Sequence, residues 1–421
     1  MRNTSPPLRP WLHLCCSLFV LLFGSTATLG QTSFAPPHII IDQYCLSLSI
    51  ADIDNDDDND IITTNANQSG NSSIQKHLNN DDNSFLSYPI SFAVELVTDS
   101  HVADLDGDGD NDILYASNSD NSIKWLRNTG NGSYTSIPQI ISNSTLSPIA
   151  VYAGNIDNDG DNDVLSVSIA DSKLAWYEND DSGNFAEHII SNNTDGARTV
   201  CVTDLDNDSD NDVLSTSFNG TKVDWYENNG ISSFVGQAII TSPDEVGCIY
   251  AADLDNDGDN DILLTRHNNN TSNKLIWYKN NGNGNFEEQQ IISSTVYGTY
   301  CGYTEIVDLD NDGDNDIITT SGYQNKVSGY LNDGTGNFTT ELIIDDSISY
   351  PSLLLSGDLD NDGDNDVIVY SSGDTQVSLY ENLLNTPSQP APPPIAAFTT
   401  TPSPQTTDTL RICEGQSVSF L

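Results

Sequence analysis

Asp358-Leu359-Asp360-Asn361-Asp362-Gly363-Asp364-Asn365-Asp366-Val367 is the stretch on which the reading of this chain turns. Aspartate stands at positions 1, 3, 5, 7 and 9 of the ten. Such a row does not sit well on a helix or a strand, because the like charges repel and Asp and Asn are poor formers of both. A tight loop that turns the carboxylates inward onto a hard cation relieves the repulsion. Ca2+ takes six to eight oxygen ligands, and acidic residues at odd positions with Gly at position 6 suit it. No Glu follows at position 12, and a β-branched residue stands at position 10, so the loop runs into a strand and not into a helix.

The same loop occurs seven times, starting at Asp52, Asp104, Asn155, Asp204, Asp253, Asp308 and Asp358, with steps of 52, 51, 49, 49, 55 and 50 residues. A single copy would pass for a solvated acidic patch. Seven in register mark a repeat architecture. Each repeat has the same parts: an apolar stretch such as Thr199–Thr203, the loop, a second stretch (Val213–Ser217), a polar turn, a third stretch with an aromatic pair (Val223-Asp224-Trp225-Tyr226-Glu227-Asn228), a Gly/Asn turn, and a fourth stretch opening on Phe (Phe234–Thr241). Four short strands, one loop and three turns fill about fifty residues. The expected fold is therefore all-β: a seven-bladed β-propeller of four-stranded antiparallel blades, with one calcium loop per blade. Neighbouring Trp and Tyr on the third strand point to opposite faces, so they read as packing between blades, with sugar stacking as the alternative.

The two ends of the repeats fit each other. The seventh repeat stops after Tyr380-Glu381-Asn382 without a fourth strand, and Phe34-Ala-Pro-Pro-His38-Ile39-Ile40-Ile41 matches the fourth strands Phe185–Ile190 and Phe338–Ile344. The N-terminal strand is thus expected to close the last blade and remove the open edges. Residues 1–30 have a basic start (Arg2, Arg9), an apolar run Trp11–Phe23 and small residues before Gly30, the pattern of a signal peptide. The propeller spans 31–386, a Pro-rich linker 387–394, and residues 395–421 resemble the truncated start of a PKD-type immunoglobulin-like domain.

The net charge is −49, from 62 acidic residues against 13 Lys+Arg, and 34 of the acids stand at odd loop positions. So acidic a surface excludes nucleic acid and anionic membranes as partners, and no later stretch would insert into a membrane after signal cleavage. Disorder is set aside by the 36% apolar fraction and the regular strand-like runs. Cys45, Cys201, Cys248 and Cys301 precede loops 1, 4, 5 and 6 at no zinc-site spacing; buried thiols and one disulfide between neighbouring blades are both open readings.

From about Phe34 to Asn382 the chain resembles FG-GAP/VCBS repeats, the class that includes the integrin alpha-subunit propeller. The residues that carry this are Asp-x-Asp-x-Asp-Gly-Asp-x-Asp-Ile/Val followed by Trp-Tyr-Glu-Asn-x-Gly-x-Gly-x-Phe. The resemblance implies up to seven Ca2+, with side-chain ligands at positions 1, 3, 5 and 9 and a backbone carbonyl at position 7. The corresponding residues are Asp52, Asp54, Asp56, Asp58 and Asp60; Asp104, Asp106, Asp108, Asp110 and Asp112; Asn155, Asp157, Asp159, Asp161 and Asp163; Asp204, Asp206, Asp208, Asp210 and Asp212; Asp253, Asp255, Asp257, Asp259 and Asp261; Asp308, Asp310, Asp312, Asp314 and Asp316; and Asp358, Asp360, Asp362, Asp364 and Asp366. Three loops depart. Asn155 has one carboxylate fewer, and Asp57 and Ser209 replace the position-6 Gly, where a left-handed backbone is expected.

No Gly-x-Ser-x-Gly, His-Glu-x-x-His or phosphate loop occurs, and no enzyme activity is expected. The expected function is an extracellular, calcium-stabilised binding or adhesion module, secreted or at the cell surface, monomeric, with a protein or glycan partner. A lectin or carbohydrate-active propeller and a plain structural spacer are the alternatives. In a four-stranded blade the calcium loop shares its face with the turn between strands 3 and 4. The other face varies between repeats and carries Arg198, Arg266, His267, Tyr297, Tyr300, Tyr323 and Tyr350. Arg and Tyr are common binding anchors, and Arg266, Tyr300 and Tyr350 are the candidate ligand contacts.

Overall fold

The second stretch of each repeat becomes a strand buried on both faces, and this organises the molecule. The computed structural model describes residues 33–66, 72–80, 84–94, 96–194, 196–217, 221–230, 233–242, 245–267, 274–282, 284–294, 303–338 and 340–384. Asp112–Ser117, Asp163–Ser168, Asp212–Ser217, Asp316–Ser321 and Asp366–Ser371 are buried at every position. Each begins one residue earlier than its apolar run, at loop position 9. After the first Asp they hold only apolar and hydroxyl-bearing residues, because a strand covered on both sides has no solvent face to fill with charge.

Seven four-stranded sheets result, each in plain sequence order except the last. Blade 3, for example, is Pro148–Gly154, Asp163–Ser168, Lys173–Asn179 and Phe185–Ser191, all antiparallel. The first strands pack side by side in a closed ring of seven around the axis. The fold is an all-β seven-bladed propeller. In the last sheet His38–Ile41 lies antiparallel to Gln376–Tyr380, with His38 opposite Leu379 and Ile39 opposite Ser378. A further bridge joins Phe34 to Asn382. The signal segment, the Pro-rich linker and the PKD-like tail lie outside the described residues. Among the described residues no helix is long and apolar enough to cross a membrane.

The core is divided into seven apolar clusters, one in each gap between neighbouring blades. The aromatic pair of the third strand serves two gaps, since successive side chains point to opposite faces. Trp125 shares a cluster with Tyr177 of the next blade, Trp176 with Tyr226, Trp225 with Tyr278 and Trp277 with Tyr330. None of these four indoles is more than 6% exposed, so they pack blade on blade and are not open to a sugar. The second Gly of the Gly-x-Gly turn belongs to the same packing. Gly284 has φ +66°, and a Cβ there would lie 2.3 Å from Cζ3 of Trp225 in the preceding blade.

Candidate functional site

The acidic loops are shaped by their own carboxylates. In loop 2, Asp104 accepts from the backbone N–H of Asp106 (3.3 Å) and Gly107 (2.9 Å) through Oδ1, and from Gly109 (2.8 Å) through Oδ2. Asp108 accepts from the N–H of Asp110 at 3.1 Å. Position 9 anchors the loop at both ends: Asp112 Oδ2 accepts from Leu105 N–H (3.0 Å) and Oδ1 from Asn128 N–H (2.7 Å). The same pair of bonds recurs at Asp60, Asp163, Asp212, Asp261, Asp316 and Asp366. Position 6 is left-handed in all seven loops, Gly in five and Asp57 (φ 72°) and Ser209 (φ 76°) in the others. The substituted loops therefore take the shape the glycine loops take.

Charge is concentrated there, and a basic side chain pairs with it in loops 2 and 5. Burial pushes the carboxyls of Asp60, Asp112, Asp212 and Asp316 up to about 7, against the pull of their two backbone donors. Asp310 and Asp360 are pushed up to about 6 by burial and then by like-charged neighbours. Oxygens of positions 1, 3 and 9 lie within 4.8 Å of one another at Asp52/Asp54/Asp60, Asp204/Asp206/Asp212, Asp253/Asp255/Asp261 and Asp308/Asp310/Asp316, and those of Asp104, Asp106 and Asp108 do likewise. The position-3 oxygen Oδ1 is buried with no hydrogen-bond partner in Asp54, Asp106, Asp206, Asp255 and Asp310. Orphaned buried oxygens converging at this spacing fit a hard divalent cation. The position-7 side chains turn elsewhere: Asp110 accepts from Asn55 Nδ2 (2.6 Å) of the preceding loop and Asp210 from Asn158 Nδ2 (2.9 Å).

On the opposite face a cavity of about 480 Å3 opens at the mouth of the central channel. All seven blades line it, mainly through their first strands; Leu46, Leu48, Ile149 and Leu353 form the walls, and Asp99, Arg198 and Tyr303 stand among them beside the hydroxyls of Ser47, Thr98 and Thr199. Asp99 accepts from Val151 N–H at 3.0 Å, and the protein packed around it pushes its carboxyl up to about 7. Of the residues anticipated on this face, Arg198 lies in the cavity wall. Tyr350 and Tyr323 are exposed and meet edge to face, ring centroids 5.8 Å apart, where blades 6 and 7 adjoin. Arg266 is placed differently. It is 8% exposed, pairs with Glu288 Oε2 at 2.7 Å across its own blade and lies over the Tyr278 ring. Tyr297, Tyr300 and the side chain of His267 fall outside the described residues. Tyr303 is a channel residue the sequence reading passed over. It stands where the first strand of blade 6 begins, five residues before its loop, level in the repeat register with Asp99 and Thr199 and one position on from Arg198.

FG-GAP-like repeat models match residues 104–166, 155–215, 204–264, 253–319 and 308–369, more than half of the chain. The chain belongs to the FG-GAP-like repeat family. Each match runs from one acidic loop into the second strand of the next blade, so the FG-GAP-like unit is offset from the structural blade. No curated protein matches the chain. Solved structures match at the level of fold. A lectin of Agrocybe aegerita, described as recognising non-reducing terminal N-acetylglucosamine, shares 17% identity at a TM-score of 0.57, over 82% of this chain and 87% of the lectin. BBS1N, in its complex with ARL6DN, shares 9% at 0.56 over 83% and 96%. The WD40 β-propeller domain of Doa1 shares 12% at 0.53 over 84% and 97%.

Within this FG-GAP-like ring, asparagines join the loops into a belt, and this is what the sequence reading missed. The position-8 amides of Asn59, Asn111, Asn162, Asn211, Asn260, Asn315 and Asn365 each donate to the position-1 carbonyl of the preceding loop, at 2.7–3.0 Å. The asparagines ending the third strands, Asn79, Asn128, Asn179, Asn228, Asn280, Asn332 and Asn382, donate to the position-2 carbonyl of the preceding loop at 2.6–3.0 Å. The signal was an Asn at the same two places in all seven repeats. Of the cysteines, Cys45 and Cys201 are free thiols, Cys248 is disulfide-bonded, and Cys301 lies outside the described residues.

Proposed function

We propose that this propeller is an extracellular binding or adhesion module, stabilised by calcium in its loops, that takes a protein or glycan ligand on the face opposite those loops. The observation that carries the reading is the channel-mouth cavity, an apolar well with Arg198, Asp99 and Tyr303 at its walls. Concave, mostly apolar sites with a few convergent polar groups are the usual form of a binding site. The exposed Tyr323–Tyr350 pair extends the same face. The loop face is a poor source of specificity, since its side chains repeat from blade to blade and its amides are engaged in the asparagine belt.

Calcium in each loop would be held by the side chains at positions 1, 3, 5 and 9 and the carbonyl at position 7. It supplies positive charge to a buried carboxylate cluster, and the N-terminal strand completes the seventh blade. The protein is secreted or surface-attached, monomeric, and without catalytic activity. A glycan is favoured over other small ligands by one observation, the fold likeness to a lectin that recognises terminal N-acetylglucosamine. The test is an array of glycans and extracellular matrix proteins probed with the secreted chain, with and without EDTA, followed by Arg198→Ala combined with Tyr350→Ala on any hit. Binding that survives in that variant moves the site elsewhere. Absence of any ligand leaves the spacer alternative in place of this one.

A further inference from the structure

The residue just before the belt asparagine on each third strand differs in charge from blade to blade, and in two blades it reaches the acidic loop of its own blade. It is Leu78, Arg127, Glu178, Glu227, Lys279, Leu331 and Glu381 in blades 1 to 7. Arg127 reaches Asp106 Oδ2 through Nε and Asp108 Oδ2 through Nη2, both at 2.7 Å. Lys279 reaches Asp257 Oδ2 at 2.7 Å and also pairs with Asp255. In both blades one basic side chain thus bridges positions 3 and 5, two of the implied calcium ligands. Blade 1 has Lys76 nearby, but its ammonium donates to the Gly132 carbonyl at 2.8 Å. In blades 3, 4 and 7 the sign is reversed. Glu178, Glu227 and Glu381 put a carboxylate at that place, and Glu178 meets His188 at 2.8 Å.

We propose that the seven calcium sites form two classes. The sites of blades 2 and 5, already part-neutralised by Arg127 and Lys279, bind calcium weakly and fill last, and the other five bind tightly. This deepens the calcium reading above and rests on it. It runs against the loop sequences, for loops 2 and 5 have all five aspartates and the position-6 Gly, whereas the departures fall in loops 1, 3 and 4. The basic side chain does not fill the site. The Asp106 side chain is 6% exposed, and while its Oδ2 holds Arg127 its Oδ1 stays buried without a partner. An ion can therefore enter, but beside a fixed positive charge. A dication about 5 Å from a unit charge is disfavoured roughly tenfold even in a water-like dielectric, and more in a drier one. When calcium is scarce the same two side chains supply a counter-charge paired directly with positions 3 and 5 of their loops.

The test is a calcium titration of the full secreted chain by calorimetry and equilibrium dialysis, with Arg127→Gln/Lys279→Gln beside it. The wild type should show five tight equivalents and two at least about tenfold weaker; the double variant should show seven of the tight kind. Thermal unfolding gives an independent sign: the variant should melt below the wild type in EDTA and above it in saturating calcium. Ion pairs that are merely structural would lower both temperatures, and that result overturns the proposal. Seven equivalent sites in the wild type overturn it too, while leaving the calcium reading intact; no bound calcium overturns both. Glu381→Lys places a cation at a blade that has none there, and should convert one tight site to a weak one. If the double variant does not fold, this single change decides: five tight sites retained would refute the two-class account.

Discussion

Asn228→Ala tests whether the asparagine belt, as well as apolar packing, holds the blades together. The side chain is 1% exposed. Its Nδ2 donates to Ile156 O of the preceding blade (3.0 Å) and to Asn211 O of its own loop (3.1 Å), and its Oδ1 accepts from Gly230 N–H (3.3 Å). Truncation removes all three bonds and strands two carbonyls where water does not readily replace the amide. At about 1–3 kcal/mol for each of the two stranded groups, the cost is about 2–6 kcal/mol. Unfolding entropy of about 2.1 cal/mol/K per residue over about 350 residues converts this to a fall in Tm of about 3–8 °C. Asn211→Ala loses the single bond to Asn155 O (2.8 Å) and should cost about 1 kcal/mol, or about 1–2 °C. Asn228→Asp keeps the shape and the acceptor for Gly230 but turns a carboxylate oxygen toward two carbonyls, and should be at least as damaging as Ala. The assay is differential scanning calorimetry in saturating calcium, so that loop occupancy is the same in all variants. An Asn228→Ala shift no larger than that of Asn211→Ala, or a tolerated Asn228→Asp, would refute the argument.

Four further outcomes are expected. EDTA should lower the melting temperature steeply and Mg2+ should restore little, since Mg2+ demands tighter octahedral geometry; coincident melting curves with calcium and with chelator would contradict the loop chemistry. Ser209→Gly relieves a left-handed residue at φ 76° and should stabilise the fold by about 1 kcal/mol, read as a raised Tm with unchanged ligand binding. Glu305, pushed up to about 7 by burial, keeps a proton in the folded state that it loses in the unfolded chain near pH 4.5, so its contribution is intact below that value and is lost as pH rises through 7. Glu305→Gln should therefore match the wild type near pH 4 and exceed it by about 1–3 kcal/mol at pH 8, water in the channel screening part of the effect; a pH-independent difference in calorimetric stability would count against this. Deleting residues 31–42 removes the strand paired with Gln376–Tyr380 and exposes an edge; a truncated chain that stays monomeric with an unaltered melting curve would show that the seventh blade does not depend on it.

What the chain decides by itself is whatever is local and repeated. An acidic loop at a period near fifty, flanked by short apolar runs, prescribes strand, loop and strand without reference to anything distant. A repeat that cannot bury its own faces must stack on its neighbours. Position 6 illustrates how firmly the local geometry holds: Asp57 and Ser209 take the left-handed backbone of the glycines they replace, because position-1 carboxylates draw the following N–H groups inward in those loops too. The third-strand Trp–Tyr pair was legible for the same reason, since strand alternation alone sends the two rings into opposite gaps. Tertiary structure decides what depends on a partner in another blade or on a particular side-chain reach. In the sequence Arg198 and Arg266 both read simply as charges on the face away from the loops. Only the assembled ring places Arg198 in the channel wall, and only the pairing of blade 5 gives Arg266 a glutamate and a tyrosine of its own. The belt asparagines meet carbonyls 56–62 residues away at position 8, or 72–78 at the strand ends, apart from the two that close the circle between the first and last loops. The basic side chains of blades 2 and 5 lie within hydrogen-bonding distance of two loop carboxylates because a third strand returns alongside its own loop, a proximity that sequence separation conceals.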